Sequence, residues 1–351
     1  MSKDTMNSLT RVLTALGHQE PDRVPLFLLL SLYGAKELKL TVKDYFSSVD
    51  NVVHAQLAMQ KKYNNDCLYT FFYAALEVEA WGAEVVFVDD GPPNSGEPML
   101  QSYQQITNMS IPVIDESLSL RRVLEVTSRL KQEVKDSVPI IGVVMSPFSL
   151  PVMQLGFEKY IEMLYFNKDS FTKLMKINEE FCVAWANAQI KAGATAICYF
   201  NPLASPTIIE RNTYFATGYS VDQRTLARIN GPTAMHLASG RTLPVLEDIV
   251  AMGSAVLGFS GLDSLEHIKK ASQNKICLLG NMNAMDMVNW DCQIAEKQVK
   301  EIIAATGVGG GLILSDNHGE IPWQVSEDVL LAIGEAVRKW GSYPLNWVDK
   351  K

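Results

Sequence analysis

The sequence predicts an α/β protein whose fold is a (β/α)8 barrel. Eight apolar runs of strand length recur along the chain, and amphipathic helical segments separate them. The runs are apolar nearly throughout, which is typical of strands buried on both faces of a parallel sheet. Eight strands that alternate with helices match the count of a (β/α)8 barrel. A doubly wound open sheet is the runner-up, because a strand count does not show that the sheet closes.

The eight runs follow one another over nearly the whole chain. They are residues 24–29, 67–72, 140–144, 194–200, 233–237, 255–259, 276–280 and 311–314. The length of 351 residues allows two domains or one decorated barrel. The alternation favours the barrel, so we expect residues 1–351 to form a single domain.

Helical patterns fill the intervals. Residues 157–163 and 170–188 carry apolar stripes, and 326–339 begins with the capping residue Ser326 and ends in Arg338 and Lys339. The N-terminus leads into a further helical segment, which we expect to extend the barrel. Residues 84–100 break the alternation with an extended run, a turn-rich loop and a second extended run. We interpret this segment as a small hairpin inserted after the second barrel strand.

Composition excludes several classes of partner. The net charge is −8 and the chain has no Lys/Arg-rich run, so nucleic acid is a poor fit. No apolar run approaches the roughly 20 residues of a membrane span. The polar N-terminus lacks the apolar core of a signal peptide, and the five cysteines are scattered, so we expect a cytoplasmic protein. The oligomeric state stays open, a homodimer included.

Polar side chains follow the predicted strands at their carboxyl ends, where barrel enzymes carry their catalytic groups. His318 follows the last strand in the segment Asp316-Asn317-His318-Gly319-Glu320, and His236 ends the fifth. Across a barrel mouth the two imidazoles would suit zinc, with Glu77, Glu79, Asp316 or Glu320 completing the set. The competing interpretations are a turn at His318 and a hydrogen-bonded core histidine at His236.

Other residues near the strand ends suggest a binding pocket. The aromatic residues are Phe71, Phe72, Tyr73, Tyr199 and Phe200, and they could stack on a flat ligand. Ordinary packing explains the phenylalanines equally well. Met145, Asn201 and Asn281 also fall at strand ends.

Several motifs resemble the uroporphyrinogen decarboxylase superfamily. They are Pro21-Asp22-Arg23-Val24-Pro25, residues 66–82, Gly193-Ala194, Leu279-Gly280-Asn281 and His318-Gly319-Glu320-Ile321-Pro322, in matching order and spacing. The resemblance covers nearly all of the chain and implies a (β/α)8 barrel.

The decarboxylase branch of that superfamily fits this sequence poorly. The segment after the first strand, 30–36, lacks the arginines with which that branch binds substrate carboxylates. Tyr73 stands where its essential aspartate would be, and Met153 where it has a tyrosine. His318 does match the histidine of that branch.

The sequence also resembles the other branch of the superfamily, the corrinoid-dependent methyltransferases. Its thiol methyltransferases carry a zinc motif His-x-Cys with a second cysteine, and here the positions read His236, Ala238 and His318. Without thiolates, a site of His236, His318 and a carboxylate such as Glu77 would suit polarising an oxygen. The ending 315–322 looks most like the methyltransferase components of bacterial O-demethylases.

The resemblance therefore implies an enzyme that moves a methyl group from a small methoxylated aromatic compound to a partner corrinoid protein. Zinc or Glu320 would stabilise the leaving oxygen, and His318 would be an active-site residue. Phe71, Tyr73, Met145, Met153, Asn201 and Asn281 would shape the substrate pocket. The alternatives are decarboxylation of a tetrapyrrole, methyl transfer from methylcobalamin to a thiol, and a binding protein without catalysis.

Overall fold

The computed structural model describes residues 4–348 and contains one eight-stranded parallel sheet with the predicted barrel order. Each apolar run overlaps one strand of the sheet, and three of the strands extend one or two residues past the predicted run. The barrel strands are β1 (Leu26–Phe27), β2 (Leu68–Tyr69), β5 (Ile140–Met145), β6 (Ala196–Phe200), β7 (Thr233–His236), β8 (Val256–Gly258), β9 (Cys277–Met282) and β10 (Leu312–Asp316). They pair in the order β1-β10-β9-β8-β7-β6-β5-β2, which follows the chain around a cylinder. The predicted fold class is confirmed.

The predicted hairpin insertion is also present. The strands β3 (Val85–Val86) and β4 (Asn94–Ser95) form a separate antiparallel pair after β2. Its side chains are partly or fully exposed, so it decorates the barrel rather than contributing a barrel strand.

Helices surround the barrel and connect its strands. They are α1 (Ser8–Leu16), α2 (Tyr33–Leu38), α3 (Val42–Ser47), α4 (Val49–Lys62), α5 (Leu76–Glu79), α6 (Leu118–Val134), α7 (Pro151–Leu155), α8 (Phe157–Phe166), α9 (Lys168–Ala192), α10 (Arg211–Thr217), α11 (Tyr219–Leu226), α12 (Leu246–Ala251), α13 (Leu265–Ser272), α14 (Cys292–Thr306) and α15 (Glu327–Trp340). The Ser326 hydroxyl caps α15 by accepting a hydrogen bond from the Val329 amide at 3.3 Å, as its sequence predicts. No helix within residues 4–348 is long and apolar enough to cross a membrane.

The core has two parts, one inside the barrel and one between the barrel and its helices. The inner part includes Phe27, Tyr69, Val143, Cys198 and Leu279, whose side chains fill the lumen, and α1 contributes to it from the strands' amino end. The outer part is larger and packs the other face of each strand against the helices. Both faces of the strands are therefore buried, which explains their continuous apolar sequences. A single domain over residues 1–351 stays a prediction.

Side chains join β1 to β2, where the barrel closes. The Asn65 amide accepts from the Leu28 N–H at 2.9 Å and donates to the Leu28 carbonyl at 3.0 Å. The Gln56 amide donates to the Leu30 carbonyl at 2.8 Å and accepts from the Tyr69 N–H at 3.2 Å. These two amides supplement the main-chain hydrogen bond from the Asp66 N–H to the Leu26 carbonyl, at 2.7 Å, along this junction, which we call the β1–β2 seam.

Candidate active site

A row of paired residues crosses the carboxyl end of the barrel. Phe200 is the register partner of Met145 and of His236, and His236 is in turn the partner of Gly258. The Phe200 and His236 rings stack with centroids 5.1 Å apart and planes 14° from parallel. Gly258 leaves space for the imidazole, because a Cβ there would lie 2.6 Å from His236 Cδ2. The backbone and these two neighbours therefore fix the His236 ring.

The two nitrogens of His236 differ in their partners. Nδ1 accepts a hydrogen bond from the Ala238 N–H at 3.1 Å. Nε2 is buried and has no hydrogen-bond partner within the described residues. Burial, with a contribution from nearby His318, lowers the pKa of His236 to about 3, so the ring is neutral at physiological pH.

The loop after β10 places His318 beside the same end of the barrel. One Asp316 carboxylate oxygen accepts from the His318 and Gly319 amides at 2.8 and 2.9 Å, which fixes the turn. The Ser239 hydroxyl lies 2.9 Å from His318 Nδ1 and so links the loops after β7 and β10. His318 is half-buried, whereas Asp316 is fully buried.

Gly319 lies over the aromatic residues of the lumen. Its carbonyl accepts a hydrogen bond from the Tyr69 hydroxyl at 3.1 Å. Its φ is +102°, and a Cβ at this position would lie 2.4 Å from Phe200 Cε2. For both reasons this position requires a glycine. Without a Cβ at Gly319, the loop of residues 316–320 can pass close over the inner aromatic residues.

Two carboxyl groups of this loop have pKa values close to neutral pH. Burial of the Glu320 carboxyl group raises its pKa to about 7, although the hydrogen bond from the Ser31 hydroxyl opposes that shift. Burial likewise raises the pKa of Asp316 to about 6, despite the hydrogen bonds from the His318 and Gly319 amides. A carboxyl group whose pKa lies near 7 can act as a proton donor at that pH.

Glu77 lies away from the two histidines, behind β5. One of its oxygens accepts from the Met145 amide at 2.9 Å, and it lines a small cavity with Trp185 of α9. Burial raises the pKa of Glu77 to about 8, although the bonds from Met145 and Trp185 oppose that shift. The side chain is therefore neutral at pH 7 and lies between the barrel and its helices.

The predicted pocket residues fall into two groups. Phe71 and Met153 are only partly buried, and Phe71 packs beside Tyr69 with ring centroids 5.6 Å apart. The others are buried and engaged internally: the Tyr73 hydroxyl donates to Glu79 at 2.8 Å, Asn281 donates to the Ser260 carbonyl at 3.0 Å, and Met145 contacts Glu77 through its amide.

Asn201 belongs to a buried hydrogen-bond network. Its carbonyl oxygen accepts from the Ser146 and Ser149 hydroxyls at 2.8 Å each, and its amide nitrogen donates to Asp222 at 2.6 Å. Asp222 also accepts from the Tyr199 and Tyr214 hydroxyls. This geometry favours a structural role for Asn201 over substrate binding.

The predicted zinc ligands do not form a metal-binding group. Among residues 4–348, no three His, Cys, Asp or Glu side chains come together in a way that could hold a metal ion. Glu77 is engaged behind β5, so the expected set of His236, His318 and Glu77 is not assembled. A zinc-bound histidine also donates its second N–H to an acceptor, whereas the Nδ1 of His236 faces a backbone donor. The residues present do not fit the predicted ion.

Residue-type reasoning did not predict four of the contacts in this site. Ser239 contacts His318, Ser31 contacts Glu320, Gly258 makes room for His236, and Tyr69 holds Gly319. Ser31 lies near a strand end and was visible as such, but Ser239 is a small polar residue in a loop. Only the fold brings it to the histidine.

A polar site at the carboxyl ends of the strands is typical of enzymes with a (β/α)8 barrel. Within that class, residues 7–340 match the uroporphyrinogen decarboxylase family, and the chain belongs to this family. The resemblance noted in the sequence is therefore confirmed at the family level, and the characterised relatives described next are enzymes.

Two curated relatives carry different activities in their names. The uroporphyrinogen decarboxylase of Idiomarina loihiensis is 24% identical and aligns over 94% of this chain and 95% of its own length. A methylcobamide:CoM methyltransferase of Methanosarcina barkeri is 28% identical over 56% of each chain. A methyltransferase structure from Methanosarcina mazei superimposes with a TM-score of 0.85 at 19% identity, over 95% of this chain and 99% of its own. The last comparison supports the fold.

Proposed function

We propose that this protein is a methyltransferase that takes a methyl group from a small methoxylated aromatic compound and delivers it to a partner corrinoid protein. The observation that carries the proposal is a carboxyl group at the barrel mouth, Glu320, whose pKa is about 7 and which pairs with no arginine among residues 4–348. Glu320 bonds to Ser31, His318 to Ser239 and His236 to the Ala238 amide. The oxygen of an ether becomes negatively charged as the methyl group leaves, so a proton donor assists the reaction. An uncharged ether has no carboxylates for arginines to bind.

Two arginines near the N-terminus, Arg23 of the family-like motif and Arg11 of α1, serve a different purpose. Arg11 and Arg23 both pair with buried Asp66, with N–O distances of 2.7 Å. Arg11 also pairs with Asp22 at 2.7 Å. Asp66 lies two residues before β2, so these pairs lie at the amino end of the strands, opposite the candidate site. They are not available to bind a substrate with many carboxylates.

Glu320 is the proposed general acid. The reduced corrinoid of the partner supplies the nucleophile that accepts the methyl group. The C–O bond breaks with its electron pair on the oxygen, and Glu320 delivers a proton to that oxygen. Ser31 holds the carboxyl group in place, and Ser239 orients His318 beside the departing oxygen.

The proposed site assigns binding roles to the partly exposed residues. Phe71 and Met153 would contact the aromatic ring, as their sequence positions predict, whereas Tyr73, Met145, Asn201 and Asn281 would support the walls. The proposal includes no zinc ion, because the donors do not form a set for it. The cytoplasmic location and the homodimer remain predictions.

Methyl transfer to a thiol is the second candidate function, favoured by the relative named methylcobamide:CoM methyltransferase. Ala238 cannot supply a thiolate ligand at the position where that branch carries one, and His318 stands at the other. Decarboxylation of a tetrapyrrole is favoured by the relative from Idiomarina loihiensis. The segment 30–36 contains no arginine to bind the substrate carboxylates, which argues against it.

The test mixes the purified protein with a reduced corrinoid protein and a panel of methoxylated aromatic compounds. We expect the absorption spectrum of methylcobalamin to develop, and Glu320→Gln to slow its formation by roughly 100-fold or more. Glu301→Gln, an exposed site on α14, is the matched control and should leave the rate unchanged. Turnover of uroporphyrinogen, or the absence of methyl transfer across the panel, would contradict the proposal.

A further inference from the structure

We propose that His236 is a hydrogen-bond donor to an oxygen atom of the substrate and does not bind a metal. Its Nε2–H would mark the inner end of the binding site. The inference extends the proposed function. The donor role of His236 is argued from the geometry, and only the identity of the oxygen as that of a methyl ether rests on the proposed function.

The backbone at Ala238 sets the tautomer of the ring. Ala238 has φ of +50°, a left-handed conformation that few residues with a Cβ adopt. That conformation accompanies the hydrogen bond of 3.1 Å from its N–H to Nδ1 of His236. A nitrogen that accepts a hydrogen bond carries no proton, so the neutral ring carries its proton on Nε2.

The ring has little freedom to exchange its two nitrogens. Phe200 stacks on one face, and Gly258 lies against the edge formed by Cδ2 and Nε2. The side chain is 1% exposed. A rotation of the ring would also break the hydrogen bond from Ala238.

The Nε2–H has no partner among residues 4–348. A buried polar group without a partner costs about 1–3 kcal/mol, so a ligand that accepts this hydrogen bond recovers that energy on binding. A zinc ion would require a bare Nε2 and a protonated Nδ1, which is the opposite tautomer. The low pKa of His236 agrees with a neutral donor rather than a cation.

The ligand class follows from this geometry. The group must present an oxygen lone pair to a neutral N–H beside the Phe200 ring, so an ether, carbonyl or phenolate oxygen fits. An ammonium group or an apolar group at the same place would leave the N–H unpaired.

The first experiment records nitrogen NMR spectra of the full chain with 15N-labelled histidine. The chain has five histidines, and His236→Gln identifies the signals of this one. We expect a protonated Nε2 and a bare Nδ1, unchanged when zinc sulfate is added. A bare Nε2, or a zinc-induced shift that His236→Gln abolishes, would overturn the inference.

The second experiment measures binding of methoxybenzene and of ethylbenzene, which replaces the oxygen by a methylene group. The wild-type protein should prefer methoxybenzene by roughly 5–10-fold, which corresponds to about 1–1.4 kcal/mol for one hydrogen bond. His236→Leu should lose the preference, and His236→Gln, which keeps an N–H near the same place, should retain part of it. His267→Leu in helix α13 is the control.

The outcomes separate this inference from the proposed function. Equal preference in the wild-type protein and in His236→Leu, or no binding of either probe, would overturn the donor role. If the tautomer and the preference are as expected while no methyl transfer occurs, the proposed function fails and the donor role stands.

Discussion

The hydroxyl of Tyr69, inside the barrel, donates a hydrogen bond of 3.1 Å to the carbonyl of Gly319 in the loop that covers the mouth. The two residues are 250 positions apart in the chain. The bond therefore ties the loop that carries His318 and Glu320 to the lumen, and the position of both site residues depends on it.

We expect Tyr69→Phe to loosen that loop. The change leaves the Gly319 carbonyl without its donor, which should lower the free energy of unfolding by about 1–2 kcal/mol. Hydrogen exchange of residues 316–322 should accelerate. Tyr160→Phe is the matched control, because the Tyr160 hydroxyl donates to the Phe148 carbonyl at 2.7 Å in another loop. If both variants change exchange at 316–322 equally, the link between Tyr69 and the loop is not the cause.

Gly319→Ala should disturb the site more strongly. The new Cβ meets Phe200 and also forces a strained backbone, so we expect a loss of roughly 2–4 kcal/mol in stability and a large loss of activity. Gly253→Ala separates the two causes. Gly253 has φ of +85° but nothing within 4 Å of its Cβ position, so that variant carries the backbone strain alone. Similar losses in the two variants, from thermal and denaturant unfolding, would show that the contact with Phe200 contributes little.

The raised pKa of Glu320 predicts a dependence of stability on pH. A carboxyl group whose pKa is higher in the folded state stabilises the protein fully below its unfolded value of about 4.5 and loses that contribution as pH rises through about 7. The wild-type protein should therefore lose stability over this range relative to Glu320→Gln. The rate of methyl transfer should fall above pH 7 for the same reason.

Asp316 adds a second contribution of the same sign, since its pKa is about 6 in the folded state. Denaturant unfolding of Glu320→Gln, Asp316→Asn and the wild-type protein between pH 4 and 8 separates the two groups. An identical pH profile for Glu320→Gln and the wild-type protein would contradict the assignment.

Asn65→Asp tests the β1–β2 seam. The carboxylate cannot donate to the Leu28 carbonyl, and its charge would be buried next to Asp66, so we expect a loss of roughly 2–4 kcal/mol. Asn187→Asp is the matched control: the Asn187 side chain also forms two backbone hydrogen bonds, to Arg228 and Asn230, but near the surface. Equal losses in the two variants would mean that the seam has no special role.

The barrel strands were predictable because burial on both faces leaves an apolar sequence that is visible without a structure. Closure of the barrel was not predictable in the same way. Gln56 lies in helix α4 and Asn65 in a loop, and both read as ordinary polar residues. Only the assembled fold shows that their amides complete the hydrogen bonds between β1 and β2.

The candidate site was predictable in position but not in chemistry. The ends of the strands located His236 and His318 at one end of the barrel, and the structure places them there. The tautomer of His236 depends on the left-handed backbone of Ala238, for which alanine gives no signal. Glu77 follows β2 as a metal ligand should, but the short helix α5 carries it behind β5 instead.

The two side-chain amides at the seam have a mechanical consequence for the whole cylinder. Between most neighbouring strands several main-chain hydrogen bonds share a load, so one substitution changes little. Between β1 and β2 one main-chain hydrogen bond, from the Asp66 N–H to the Leu26 carbonyl at 2.7 Å, is supplemented by side-chain bonds, and a point mutation can remove either amide. A variant that lacks either amide should therefore part between β1 and β2 at a lower force than the wild-type protein when the chain is stretched from its ends.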